Sequence, residues 1–83
     1  MQKFSEYIES IRLLIADDFP GKEVTVDIQV SPWDVGAYAV MAHVGDVGIA
    51  HVTIYGGKIY SDLEIATWLS KKLKELEDTQ KEK

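Results

Sequence analysis

The sequence predicts an α+β domain in the order α-β-β-β-α, with a three-stranded antiparallel meander and both helices packed on one face of it. Three observations carry this. Apolar residues alternate between Lys22 and Tyr55: Val24, Val26, Ile28 and Val30, then Tyr38, Val40, Ala42 and Val44, then Ala50, Val52 and Ile54. Successive strand side chains point to opposite faces, so these even positions line one face of one sheet. Segments with helical spacing flank the meander, and a sheet with a single apolar face must receive both helices on that face.

The first helix is expected over residues 2–18. Phe4, Tyr7, Ile8, Ile11, Leu14 and Ile15 recur at spacings of three and four and form one stripe. Glu6, Glu9, Ser10, Leu13 and Asp17 fall on the opposite face. Leu13 reads either as a singly exposed leucine or as an apolar anchor within an acidic face. Asp17 and Asp18 stand at the helix C-terminus, where the macrodipole disfavours negative charge, so stability alone would not choose them. Pro20 ends the helix, and Pro20-Gly21 makes a turn in which glycine is free to take positive φ.

The first strand follows over residues 23–30. Ser31 to Gly36 forms a loop marked by Pro32 and Gly36. Trp33 in that loop either folds back on the core or projects as an interface anchor. Asp46-Val47-Gly48 is expected to join the next two strands as a three-residue hairpin, pairing Gly45 with Ile49 and His43 with His51. A two-residue Gly45-Asp46 turn competes; it would shift the third strand by one step and break the common apolar face.

The other sheet face then carries Thr25, Asp27 and Gln29, Ala37, Ala39, Met41 and His43, and His51, Thr53 and Tyr55. Small residues down the middle strand make a shallow trough. It reads either as an ordinary solvated face or as a place where another backbone comes close. Two histidines beside Asp27 supply donors suited to zinc, but the spacing matches no metal motif, and neither metal nor cofactor is expected. Gly56-Gly57-Lys58 reads as a turn, since no P-loop pattern follows.

Ser61 with Glu64 three residues on is a capping box that starts the second helix. Ile65, Ala66, Leu69, Leu73 and Leu76 form its buried stripe, with Trp68 at the edge and expected to complete the core. The domain is expected to span residues 1–78, with a charged, frayed tail over 79–83.

The 83 residues bound the rest: one domain, no cysteine, and a net charge of −5. Residues 1–70 hold ten acids and four bases. A body this acidic repels a phosphate backbone, so direct nucleic-acid binding is not expected, whereas a basic partner surface is. No apolar run is long enough for a membrane span, and Glu6 and Glu9 interrupt any signal-peptide stretch, so a cytoplasmic protein is expected. No nucleophile elbow, thiol or converging acid pair suggests catalysis.

The element order is similar to that of the double-stranded-RNA-binding domain and of some small anti-CRISPR proteins of phages. No sequence motif of either is present, and the first resemblance fails on charge. The function expected first is therefore a non-enzymatic acidic protein-binding module. In its sharpest form it inhibits by standing in for nucleic acid on a nucleic-acid-binding protein, as phage counter-defence proteins do. Its candidate residues are Glu6, Glu9, Leu13, Asp17, Asp18, Asp27, Trp33 and Asp34. The alternative is a self-associating subunit, a homodimer through Ala37, Ala39, Met41, His43, His51 and Tyr55 or through an edge strand. A third reading is small-ligand binding near His43 and Tyr55.

Overall fold

A computed structural model describes residues 4–31, 35–56 and 60–81. Its elements are α1 (Phe4–Asp18), β1 (Val24–Val30), β2 (Ala37–Val44), β3 (Gly48–Tyr55) and α2 (Asp62–Lys81). The strands form one antiparallel sheet in the order β1-β2-β3. Both helices cover the face made by the even-numbered residues: α1 lies over β1, and α2 over β3. The molecule measures 40 × 28 × 16 Å. Its thinnest dimension accommodates one helix layer on one sheet and leaves no room for a third layer.

The core lies between these layers. Ile11 and Ile15 of α1, Ile65, Leu69 and Leu73 of α2, and Val40 and Val44 of β2 are fully buried. Each such side chain contributes about 1.5–3 kcal/mol through removal of apolar surface from water. The even-position pattern holds for Val24, Ala42, Ala50 and Val52 as well. It weakens at the far end of the sheet, where the terminal pair Val30 and Tyr38 is exposed.

Local chemistry sets the element ends. The Lys22 N–H donates to the Phe19 carbonyl at 3.3 Å across Pro20-Gly21, and Gly21 takes φ +82, the type II turn that glycine permits. This turn folds Phe19 back into the core, where Lys74 Nζ sits 5.0 Å from its ring centroid. At the start of α2 the Glu64 N–H donates to Ser61 Oγ at 3.1 Å, as the capping box requires.

The β2–β3 hairpin corrects the expected register. Val44 pairs with Gly48, His43 with Ile49, and Met41 with His51. The Val47 N–H donates to the Val44 carbonyl at 2.9 Å, so Gly45-Asp46 occupies the centre of the turn. Gly48 at φ +135 then absorbs one further residue. That extra residue restores the parity a simple two-residue turn would have lost, and the apolar positions keep their common face. It also lets Val47 turn inward and become buried.

Further corrections concern the helices. Ser10 faces α2 and donates to the Asp62 carboxylate, instead of lying on the outer face of α1. Trp68 is 41% exposed and packs edge-on against Tyr60, with ring centroids 5.9 Å apart, so it borders the core without completing it. Helix α2 continues through Lys81, beyond the tail expected from residue 79. Its last turn is tied down by Gln80 Nε2, which donates to the Val47 carbonyl at 2.7 Å. Leu76, expected in the buried stripe, is instead exposed, beside Gly48 at the start of β3.

Candidate protein-binding surfaces

The two helices start at the same end of the sheet and run side by side. Tyr7 Oη donates to the Tyr60 carbonyl at 2.8 Å, and one turn later Ser10 reaches Asp62. Burial, with Asp62 and Glu64 nearby, holds the Tyr7 phenol above its ordinary pKa. The Ser10 hydroxyl, helped by the Leu63 N–H at 2.8 Å, holds the Asp62 carboxyl below its ordinary value.

Past these contacts the helices leave a shallow groove of about 310 Å³ between them. Leu14, Asp17 and Asp18 form one wall, and Leu63, Ala66 and Thr67 form the other. Leu63 is 60% exposed. Glu6 and Leu13 lie within about 40° of Asp17 around the helix axis, so the outer face of α1 continues into this groove. Leu13 is 52% exposed there. The groove thus joins Asp17 and Asp18 to an apolar side chain from a distant part of the chain.

The other candidates separate from it. Glu9 turns toward Arg12, whose Nε donates to Glu9 Oε2 at 2.9 Å, and the guanidinium holds that carboxyl below its ordinary pKa. Asp27 lies on the opposite side of the molecule, on the open sheet face. Trp33 and Asp34 lie outside the described residues, as do Gly57 and Lys58. Sequence reasoning overlooked Leu63. Its signal was an apolar residue about 110° from the centre of the α2 stripe by helical geometry.

On the open face, Ala37, Ala39, Met41 and His43 form the middle column, with Thr25, Asp27 and Gln29 on one side and Ile49, His51, Thr53 and Tyr55 on the other. Ala37 and Ala39 are buried on this face. Ile49 is 63% exposed and was also missing from the sequence reading. The corrected register sets His43 and His51 diagonally apart. Among the described residues no three His, Asp or Glu side chains gather to hold a metal ion, and no helix is long and apolar enough to cross a membrane.

Both sheet edges carry a side chain on the backbone. Even-numbered residues of β1 direct their backbone groups outward, since Glu23 and Ser31 bond toward β2. The outward Ile28 N–H donates to Asp27 Oδ1 at 2.9 Å. On β3 the odd residues face outward, and Lys72 Nζ donates to the His51 carbonyl at 2.8 Å. Beside that contact, Ile49, Glu75, Leu76 and Thr79 help line a shallow groove of about 480 Å³.

No family model, curated protein or solved structure matches this chain. The surfaces themselves are what a functional reading rests on.

Proposed function

We propose that this chain is a small, non-enzymatic protein-binding module that docks its acidic helical side on a basic surface of a partner. In the sharpest form, that surface is one the partner otherwise uses for nucleic acid. The observation that carries the reading is the groove between α1 and α2, where Asp17 and Asp18 stand beside the exposed Leu63. Charges of one sign steer an oppositely charged partner into an encounter, and a few buried apolar anchors then hold it. Leu63 and Leu13 are such anchors, and Glu6, Asp17 and Asp18 supply the field. Small size, a two-layer body and shallow grooves favour a binding surface over a catalytic cleft.

The test is capture of partners from lysate with the wild-type chain, followed by affinity measurements with Leu63→Ser and Leu13→Ser. Both side chains are exposed, so both variants should fold. Loss of an anchor is expected to weaken binding by about tenfold or more, mainly by faster dissociation. Nucleic acid bound by the partner should compete with the chain. A partner that binds both variants as tightly as wild type would remove the groove from the account. A partner that holds nucleic acid and the chain together would remove the mimic form of it.

A second reading, self-association through the open sheet face, is favoured by one observation. Ile49 stands exposed there beside His43 and Met41.

A further inference from the structure

We propose that the open sheet face binds a second copy of this chain about a two-fold axis lying along β2, with Asp27 of each copy facing His51 of the other. This rests on and deepens the self-association reading, uses the side of the molecule away from the helices, and is independent of the acidic groove.

The inference starts from one row of the sheet. Met41 pairs with Asp27 on β1 and with His51 on β3, so an acid, an apolar centre and an imidazole stand in line across the face. Gln29, Ala39 and Thr53 form the next row toward one end, and Thr25, His43 and Ile49 the next toward the other. Two such faces can meet about a two-fold axis in two aligned ways. If the axis runs along β2, β1 of one copy lies over β3 of the other. Asp27 then meets His51 twice, Thr25 meets Ile49, Gln29 meets Thr53, and Ala39, Met41 and His43 of the middle column each meet their own copies. If the axis runs across the strands through the same row, Asp27 meets Asp27 and His51 meets His51. Charge complementarity selects the first arrangement.

The geometry allows it. Sheets pack face to face at about 10 Å, a gap that an aspartate and a histidine span when the imidazole N–H donates to the carboxylate. The small Ala39 in the middle column lets the sheets come that close. The edge strands are the competing route, and each has a backbone group already engaged, at Ile28 and at His51. The face offers roughly 15 × 25 Å, about half the ~800 Å² per partner of a standard interface, so the dimer is weak.

The test is sedimentation velocity at about several hundred micromolar, suited to an interface of this modest area. Wild type should sediment as a concentration-dependent dimer. Asp27→Arg alone should be monomeric, because the new arginine loses the carboxylate-to-imidazole contact and meets only His51. His51→Glu alone should be monomeric, because the new glutamate faces Asp27. An equimolar mixture of the two variants should dimerise again: in the mixed pair the arginine faces the glutamate, and the native Asp27 faces the native His51. Both positions are exposed, and circular dichroism checks that each variant is folded. A monomeric wild type, single variants that still dimerise, or a mixture that stays monomeric would each overturn the proposal.

Discussion

Lys72 Nζ donates to the carbonyl of His51 across 2.8 Å, so a side chain of α2 closes the middle of the free edge of β3. Asp27 does the equivalent on β1 by accepting from the Ile28 N–H. Unpaired edges invite strands from other chains, and proteins blunt them with charged side chains. Each contact engages one outward backbone group of an edge strand.

Lys72→Ala should therefore change assembly more than stability. Its contact is exposed, so the unfolding midpoint in urea should barely move. Aggregation on warming, followed by a dye that reports cross-strand stacking, should start earlier and grow faster. An unchanged aggregation rate would mean that Lys72 does not guard the edge.

The hairpin makes a sharper prediction about stability. Gly48 has φ +135, a region that side chains with a Cβ rarely adopt, whereas Gly45 shows no such strain and a Cβ there would meet Lys22 at an ordinary 3.6 Å. Gly48→Ala should cost about 1–3 kcal/mol in denaturant unfolding, and Gly45→Ala less than about 1 kcal/mol. Equal costs would contradict the observed turn.

Asp62 links folding to pH. Its carboxyl is held below its ordinary pKa by the Ser10 hydroxyl first and the Leu63 N–H second. A depressed acid contributes stability that is present above its unfolded-state pKa and lost as pH falls through the lowered folded-state value. Asp62→Asn should thus be less stable than wild type at neutral pH, and the gap should close in the acid range below about pH 4. A gap that stays constant from neutral pH to pH 2 would show that the carboxylate contributes nothing specific. Glu9 beside Arg12 and Asp46 beside Lys22 shift in the same direction and give smaller effects of the same sign, since both pairs are exposed.

Much of this architecture was legible because strand parity, helical spacing, the Ser61–Glu64 box and Pro20-Gly21 all describe local backbone chemistry. The hairpin register was not. Pairing Gly45 with Ile49 and pairing Val44 with Gly48 keep the same residues on the apolar face, so hydrophobic pattern cannot separate them. Only the glycine at φ +135 decides. Phe19 and Val47 escaped notice as core residues because both sit in turns, where no periodicity marks burial. Of the candidate site, the acids of α1 could be read directly. Leu63 joins them only because α2 packs beside α1, a tertiary relationship that neither helix announces alone.

The acidic helical face is the central claim, and binding kinetics with a captured partner test it most directly. The comparison is wild type against the triple variant Glu6→Lys, Asp17→Lys and Asp18→Lys, at about 20 mM and about 300 mM salt, where screening lengths differ several-fold. All three side chains are exposed, so the variant should fold. The account predicts association slowed by about tenfold or more at low salt, a much smaller difference at high salt, and little change in dissociation. Equal association rates for the two proteins at both salt concentrations would contradict it.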